Sequence, residues 1–312
     1  MVPAKLEGKI MDTIQEKYNA AIQAYKMKTS APIIARPVVQ LMPRINDLSA
    51  GSEGLSNDYF MDRVPSVLSE GHSRTAKYTQ VPTLHIINAM RDNGFVPVTA
   101  GQRRTIDPAR RDFARHIIKF RALSNMVMGA QDVVPEIVLL NSHDGSSAYK
   151  MLLGIFRLVC ANGLIVSESI AASITVRHTG GHNTIDRILS AARTIAQSGA
   201  DSFNSINTWR GIELSSEART RYAQGAFDLY RGNKDIKVYI PSLIAPIRRA
   251  DTGNSLWSVF NVVQEKLIRG GFHAQNGRGY YRRARAINSI DRDVTLNQKL
   301  WAYTAEFGQN LN

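Results

Sequence analysis

The spacing of apolar residues changes about halfway along the chain, and this change limits the folds that the chain can adopt. Between residues 64 and 180, short segments such as Ala114–Leu123 and Glu136–Asn141 alternate apolar and polar residues or form brief apolar runs, which is typical of strands. From Asn183 onward, apolar residues recur every three or four positions, as in Val294–Phe307, which is typical of helices. The pattern predicts an α+β fold with a small, mostly antiparallel sheet and packed helices, followed by a largely helical C-terminal half.

Individual elements follow from the same spacing. In the first half we expect strands over Arg74–Thr79, Phe95–Arg104, Ala114–Leu123 and Glu136–Asn141, one or two strands within Leu164–Val176, and helices over Pro82–Asn93 and Ser146–Ala161. In the second half we expect helices within Asn183–Arg231 and over Asn254–Arg269 and Val294–Phe307. The Asn93-Gly94 pair predicts the end of the first helix, because both residues accept the left-handed backbone that follows a helix.

Four regions follow one another along the chain. An apolar stripe through Leu6, Ile10 and Ile14 predicts an N-terminal helix that serves as an arm or as the contact of a homo-oligomer. The prolines, glycines and serines after it predict an extended linker. The expected boundaries are 1–28 for the helix, 29–63 for the linker, 64–180 for the α+β core and 181–312 for the helical C-terminal part, with a basic Arg/Tyr/Gly segment at 266–290.

Cys160 is the only cysteine among 312 residues. An intramolecular disulfide is therefore impossible, and zinc fingers, Cys-X-X-Cys redox sites and cysteine-ligated clusters are excluded. No apolar run approaches the ~18 residues of a membrane helix, and the N-terminus lacks the apolar region of a signal peptide. We expect a cytoplasmic protein without a membrane partner.

Positive charge is the feature of the composition that bears on function. The formal net charge is +13, from 39 Lys and Arg against 26 Asp and Glu. Residues 101–125 carry +5 of this excess and residues 266–290 carry +6. Because the excess is concentrated, we expect surfaces that bind a polyanion such as nucleic acid.

The second basic window interleaves arginine, tyrosine and glycine. Guanidinium groups pair with phosphate oxygens, aromatic rings stack on unpaired bases, and glycines let the backbone approach closely. The expected nucleic-acid-binding residues here are Arg269, Phe272, Arg278, Tyr280, Tyr281, Arg282, Arg283 and Arg285, with the three aromatic residues as stacking platforms. In the first window we expect Arg104, Arg115, Lys119 and Arg121 to extend the contact, the last three from one face of a strand.

A polar turn at Asn141–Ser147 packs serine, histidine, aspartate and glycine between an expected strand and an expected helix. His143 and Asp144 are the candidate catalytic residues, although a catalytic triad needs groups that converge from separate elements. A structural interpretation is that Asp144 or Ser146 caps the helix while His143 bonds the loop. A third interpretation is that the amides at the helix N-terminus bind a phosphate.

Two other clusters bear on metal binding. His178 and His182 flank two glycines, a pattern more typical of a solvated loop than of a metal site. Asp291 and Asp293 either hold a magnesium ion or, as we favour, cap the following helix and pair with an arginine. We expect no metal site and no cofactor, and magnesium enters only if the protein is an enzyme.

Several sequence blocks resemble the DUF932 family of phage and plasmid proteins, namely Arg74–Thr83, Pro135–Ser147, Phe156–Leu164, Leu256–Glu265 and Ile290–Asp293. The resemblance extends from Tyr59 to Phe307. It implies the context of a phage, prophage or conjugative plasmid in a bacterial host cell. The family is defined by sequence, so the resemblance implies no reaction, cofactor or catalytic residue.

Context and charge together predict a phage or plasmid nucleic-acid-binding protein that binds or anneals single-stranded DNA in mobile-element DNA metabolism and recombination. Rad52-like annealing proteins offer an analogy of fold class and composition alone. One alternative is a metal-dependent enzyme acting on nucleic acid or a nucleotide, with His143, Asp144, Asp291 and Asp293 around the metal. Another is an anti-defence protein that seizes nucleic acid.

Overall fold

The computed structural model describes residues 54–69, 81–105, 107–122, 133–144, 147–157, 162–165, 173–177, 183–275 and 279–311. The expected N-terminal helix, most of the linker, the strand at Arg74–Thr79, Cys160, the loop of His178 and His182, and Arg278 lie outside these residues. The described residues form two compact units. One contains those of 54–122, 139–150 and 175–190, and the other contains those of 133–138, 151–174 and 191–311.

The first described element is a short helix, α1 (Asn57–Arg63). Ser56 caps it, because its hydroxyl accepts a hydrogen bond from the amide of Tyr59 at 3.2 Å. A 3-10 turn over Pro65–Leu68 follows, and all of its residues are buried. The last seven residues of the expected extended linker are therefore helical. The cap at Ser56 explains why the helix begins there.

One sheet contains six strands in the order β1-β2-β3-β4-β5, with β6 beside β4. Helix α2 (Thr83–Asp92) precedes the strands, which are β1 (Phe95–Gln102), β2 (His116–Ala122), β3 (Val133–Asn141), β4 (Tyr149–Arg157), β5 (Asn162–Ile165) and β6 (Ser173–Val176). The β1/β2 and β4/β5 pairs are antiparallel. Asn93 and Gly94 end α2 as expected, with Gly94 at φ 81°. The expected small antiparallel sheet is thus confirmed.

Strand β4 replaces the helix that we expected over Ser146–Ala161. Five of its apolar side chains are at most 1% exposed, namely Tyr149, Met151, Leu152, Leu153 and Ile155. Because the strand is buried on both faces, its apolar residues form a nearly continuous run, which matches a buried helix as well as a buried strand. The polar turn at Asn141–Ser147 therefore lies between two neighbouring strands.

The second half confirms the expected helices, which are α3 (Thr184–Gly211), α4 (Ser216–Arg231), α6 (Leu256–Arg269) and α7 (Ile290–Gln309). It also contains a short helix that we did not expect, α5 (Ile240–Ile244). Between α6 and α7 lie two short antiparallel strands, β7 (His273–Gln275) and β8 (Tyr281–Arg283). Helix α7 begins at Ile290 rather than at Val294, and the hydroxyl of Ser289 caps it. Asp291 and Asp293 therefore lie in its first turn and are not its cap, although acidic residues there favour the positive end of the helix dipole.

Large aromatic side chains fill the core of the helical unit. The ring centroid of Trp209 on α3 lies 4.5 Å from that of Trp301 on α7 and 5.7 Å from that of Phe260 on α6. All three side chains are at most 3% exposed. Burial of each contributes about 1.5–3 kcal/mol or more to folding, and it fixes α6, after which β7 begins.

Candidate nucleic-acid interface

Three chain segments form a small β-ribbon after the C-terminus of α6. Strands β7 and β8 are two of them, and the segment Lys237–Tyr239 is the third. Val238 forms a bridge with Ala274, and the amide of Tyr239 donates to the carbonyl of His273 at 2.9 Å. The ribbon therefore joins the basic segment at 266–290 to a segment outside it that precedes α5.

A glycine determines how the ribbon leaves α6. Gly270 follows the helix at φ 77°, in the left-handed region that favours glycine. A Cβ atom there would lie 2.5 Å from the carbonyl oxygen of Ala284 and 2.8 Å from the amide nitrogen of Ala286. The backbone after β8 thus passes directly over this glycine, where the amide of Ile287 donates to the carbonyl of Ile268 at 2.8 Å.

Alternation along the strands sorts the side chains of the ribbon onto two faces. Residues opposite each other on neighbouring strands share a face, so the pairing defines rows across the ribbon. One face, named the tyrosine face, carries a row of Lys237, Gln275 and Tyr281 and a second row of Tyr239, His273 and Arg283. The opposite face carries Val238, Ala274 and Arg282.

The aromatic rings of the tyrosine face are open to solvent. Tyr239 is 53% exposed and Tyr281 is 49% exposed. Their ring centroids lie 6.4 Å apart, and the ring planes meet at 74°. Tyr280, immediately before β8, is also well exposed. Exposed aromatic side chains that gather in one place mark a binding surface more often than single ones do.

The cations of the tyrosine face have no acidic partner within the described part of the chain. Lys237 and Arg283 are exposed, and neither side chain makes a hydrogen bond or an ion pair there. Arg248, in the same unit, instead donates to both carboxylate oxygens of Glu265, with Nη2 2.7 Å from Oε1. Exposed cations without a partner in the protein are available to an anionic ligand.

Ser242 on α5 ties the third strand of the ribbon to β7. Its hydroxyl donates to the carbonyl of Tyr239 at 2.7 Å and accepts from the amide of His273 at 2.8 Å. Its own carbonyl accepts from the ammonium of Lys266 on α6 at 2.8 Å. The position of Tyr239 on the tyrosine face therefore depends on this serine.

Lys266 adds positive potential close to the ribbon. Burial lowers the pKa of its ammonium, the neighbouring carboxylate of Glu265 raises this pKa, and the positive charge of Arg283 lowers it again. The effect of Arg283 means that two cations lie within electrostatic range of each other. Such a pair favours a phosphate over a neutral ligand.

The structure separates the arginines that we predicted as one group. Arg283 belongs to the tyrosine face, Arg282 lies on the opposite face of β8, and Arg285 follows the strand. All three are exposed. Arg269 is also exposed at the end of α6, where Nη1 lies 4.0 Å from a carboxylate oxygen of Glu265.

The prediction that Phe272 stacks on a base is wrong. Its side chain is fully buried, and its ring packs edge-on against those of Phe227 and Tyr230, with centroids 6.0 and 5.5 Å away. The residue immediately before β7 anchors the ribbon to the core. It is therefore unavailable for stacking on a base.

The first basic window contributes a second and less open set of cations. Arg104 is exposed, and Arg115 and Lys119 are partly exposed at alternating positions before and within β2. Arg121, which we expected beside them, is only 6% exposed and pairs across the sheet with Val96, itself 4% exposed. This end of β2 lies inside the fold, so Arg121 cannot serve as an open phosphate contact.

The polar turn after β3 belongs to a buried hydrogen-bond network. The hydroxyl of Thr83, at the start of α2, lies 2.9 Å from Nε2 of His116 and 2.9 Å from Nε2 of His143. It also accepts from the amide group of Asn141 at 3.0 Å. Nδ1 of His116 lies 3.0 Å from the hydroxyl of Ser66. All five residues are fully buried.

Counting donors and acceptors assigns the protons of this network. Nδ1 of His116 lies 3.1 Å from the carbonyl of Ala114, so Nδ1 carries the proton and Nε2 accepts. Thr83 gives its one hydroxyl proton to Nε2 of His116, and its two lone pairs accept from His143 and Asn141. Burial lowers the pKa of His116 to about 4, although the bond to Ala114 raises it. The ring is therefore neutral, and the hydroxyl of Thr83 is fully used.

This network corrects the interpretations that treated the turn as the start of a helix. His143 is buried and bonded to Thr83, so it has the structural role of bonding the loop. Asp144 is exposed and accepts from the hydroxyl of Ser142 at 2.8 Å. Because strand β4 begins at Tyr149 in place of the expected helix, Asp144 caps no helix there. Ser146, the other candidate cap, lies outside the described residues. Over the described residues, no three His, Cys, Asp or Glu side chains gather as a metal site requires.

The tyrosine face also contains three residues that the sequence did not predict as part of the site, namely Lys237, Tyr239 and His273. Lys237–Tyr239 alternates a cation, an apolar residue and an aromatic residue just before Pro241, which is a weak strand signal. Three residues are too few to predict a strand from periodicity. Only the pairing with β7 brings this segment onto the same face as Arg283.

Fold and site together define an α+β protein with an exposed basic ribbon that carries tyrosines. The chain belongs to the family described as Domain of unknown function (DUF932), whose model matches residues 72–301. It is 35% identical over 240 residues to UPF0380 protein YafZ of Escherichia coli (strain K12), an overlap of 76% of this chain and 86% of that protein. UPF0380 protein YfjQ of the same strain has the same identity and coverage. No solved structure matches this chain significantly. No helix within the described residues has both the length and the apolar character to span a membrane.

Proposed function

We propose that this protein binds nucleic acid through the tyrosine face, and that it binds or anneals single-stranded DNA in phage or plasmid DNA metabolism. The observation that carries the proposal is the presence of exposed tyrosines beside exposed cations that have no acidic partner within the described residues. The phage or plasmid context rests on the family resemblance. The net charge of +13 supports a polyanionic partner.

The physical basis of binding is phosphate neutralisation. The guanidinium of Arg283 can donate two parallel hydrogen bonds to one phosphate, and the ammonium of Lys237 acts as a point charge. Each neutralised phosphate releases condensed counterions, so the logarithm of the affinity falls with the logarithm of the salt concentration by about 0.7 per contact for single strands. Affinity for DNA should therefore depend strongly on salt.

The proposal includes a second contact on the other unit. Arg115 and Lys119 alternate with side chains that are buried at the start of β2, and Arg104 is exposed. No exposed tyrosine accompanies these cations within β2 or beside Arg104 in the described residues. These cations suit contacts to the sugar–phosphate backbone, which position a strand and carry no sequence information. Arg121 is no part of this contact.

The test compares two neighbouring arginines that lie on opposite faces of β8. Fluorescence anisotropy with the full-length protein measures the affinity for labelled single-stranded DNA at two salt concentrations, with duplex DNA and RNA of equal length as comparison ligands. We expect Arg283→Ala to weaken binding several-fold and to reduce the salt slope by about 0.7. Arg282→Ala is the matched control, and we expect it to have a smaller effect on both quantities.

Two results would overturn the proposal. One is the absence of binding to any nucleic acid at low salt. The other is an unchanged affinity when Arg282→Ala and Arg283→Ala are combined, because the ribbon then contributes nothing to the contact.

A further inference from the structure

The geometry of the two tyrosines narrows the kind of nucleic acid that fits the tyrosine face. We propose that Tyr239 and Tyr281 form a stacking site for one unpaired base, named the base seat, so that this face selects single-stranded over duplex nucleic acid. The inference rests on the proposed function, because it requires that nucleic acid binds the tyrosine face. It adds which side chains contact a base, and it assigns a role to Tyr239, which lies outside the basic segment.

The rows of the tyrosine face place like groups at opposite corners. Neighbouring strands are about 4.8 Å apart and positions two residues apart along a strand are about 6.7 Å apart, so the Cα atoms of diagonal corners are separated by roughly 12 Å. Tyr239 and Tyr281 occupy one diagonal, and Lys237 and Arg283 occupy the other. Since the ring centroids are 6.4 Å apart, the tyrosines lean toward each other over the middle strand.

The two rings form an open corner. Their planes meet at 74°, and each side chain keeps about half of its surface in solvent. A base that stacks on the free face of one ring meets the second ring edge-on, and both contacts are favourable aromatic geometries. Stacking of this kind accepts any base, because every base has a π face. One corner accommodates one base.

A duplex does not fit this corner unless it opens. Inside a duplex, the neighbouring base pairs cover both faces of each base, so a base must leave the stack before a protein ring can cover it. An unpaired strand offers such faces freely. Lys237 and Arg283 lie on either side of the ring pair, where they are placed to bind the phosphates before and after the seated base.

The test distinguishes the contribution of the bases to affinity from that of the phosphates. Anisotropy titrations of the full-length protein use labelled oligothymidine and an abasic strand of equal length, which has the same phosphates but no bases. We expect the wild type to bind oligothymidine about ten-fold more tightly, as loss of one stacked base implies. Unlabelled duplex should compete poorly with oligothymidine at equal phosphate concentration.

Variants of the tyrosines locate the seat. We expect Tyr239→Leu and Tyr281→Leu each to remove most of the preference for oligothymidine, whereas Tyr239→Phe and Tyr281→Phe keep it because the ring remains. Tyr280→Leu is the matched control at a neighbouring exposed tyrosine and should keep the preference. Arg283→Ala should lower the affinity for both strands by the same factor, since it removes a phosphate contact. Circular dichroism checks that each variant is folded.

The outcomes distinguish this inference from the proposed function. Equal affinity of the wild type for the two strands, or an unchanged preference in both Tyr→Leu variants, overturns the base seat and leaves nucleic-acid binding in place. Binding to neither strand overturns the proposed function and the base seat together.

Discussion

The network around Thr83 and the tyrosine face are both groups of polar side chains, yet they differ in how many of these side chains have a partner within the protein. In the network, the donor and both acceptor positions of the Thr83 hydroxyl are matched by His116, His143 and Asn141. On the tyrosine face, Lys237 and Arg283 have no partner within the described residues. A histidine next to serine, threonine or aspartate therefore identifies a site only when the protein leaves some of its bonding capacity unused.

Burial explains why the two regions differ. A buried donor or acceptor without a partner costs about 1–3 kcal/mol, so the residues around Thr83 must complement one another. An exposed guanidinium keeps its hydration, and its lack of a protein partner has little effect on stability. The first region is therefore expected to govern folding and the second to govern binding, and the following predictions test this division.

The largest effect is expected where the exposed ribbon depends on the packed core. Gly270→Ala places a Cβ atom within 2.8 Å of three backbone atoms and forces alanine to φ 77°. We expect a loss of about 4 kcal/mol or more in the free energy of unfolding, measured by urea denaturation, together with loss of DNA binding. Gly232→Ala is the matched control, since its φ is 57° but no atom lies within 4 Å of the added Cβ. It should cost only about 1–3 kcal/mol, because the strain lies in the backbone alone.

The next largest effect is expected at the centre of the buried network. Thr83→Val removes the hydroxyl and leaves the two Nε2 atoms and the amide of Asn141 without it. We expect a loss of about 3 kcal/mol in urea denaturation, with unchanged affinity for DNA in the folded protein. Thr83→Ser keeps the hydroxyl and should cost about 1 kcal/mol. A stable Thr83→Val protein that no longer binds DNA would contradict the division between folding and binding.

Acid should destabilise the network through His116. Its pKa is lowered from 6.5 in the unfolded chain to about 4 in the folded protein, so the unfolded state binds more protons between these values. The contribution of His116 to the free energy of unfolding is therefore largest above pH 6.5. This contribution falls as the pH decreases toward 4 and does not change further below pH 4. The full loss is roughly 3 kcal/mol.

The control for this pH dependence is His116→Gln, which has no titrating ring. We expect unfolding free energies of the variant to vary less between pH 6.5 and 4 than those of the wild type, even if the variant is less stable overall. Parallel pH profiles would mean that other groups cause the acid sensitivity.

The smallest effect is expected at Ser242, which links the ribbon to α5. Ser242→Ala removes the bonds to Tyr239 and His273 in a partly exposed place, so we expect a loss of about 1 kcal/mol in stability. Affinity for single-stranded DNA should fall by about two- to five-fold, because the position of Tyr239 is less fixed. Ser242→Thr retains a hydroxyl and should recover most of the affinity. Full affinity in Ser242→Ala would show that Tyr239 needs no such support.

Periodicity was a good guide wherever an element was long and had one buried side. Helices α2, α3, α4 and α7 and strand β2 each have a face that is more exposed than the other, so their spacing is distinctive. It failed at β4, because a strand buried on both sides has no polar face to reveal its period. The predicted exposure of Arg121 and the predicted stacking role of Phe272 were wrong for a related reason, since neighbours in space, and not in sequence, decide which arginine or phenylalanine is covered.

The sequence by itself determined the α+β class, the order of most elements, and the presence of arginine, tyrosine and glycine together near the C-terminus. Only the tertiary structure decided that His143 is an internal hydrogen-bonding group and that Tyr239 and Lys237 stand beside Tyr281 and Arg283. The physical reason is that spacing records local backbone geometry, which needs only nearby residues. Exposure and partnership depend on which distant segments pair, and three-residue strands are too short for spacing to predict those pairings.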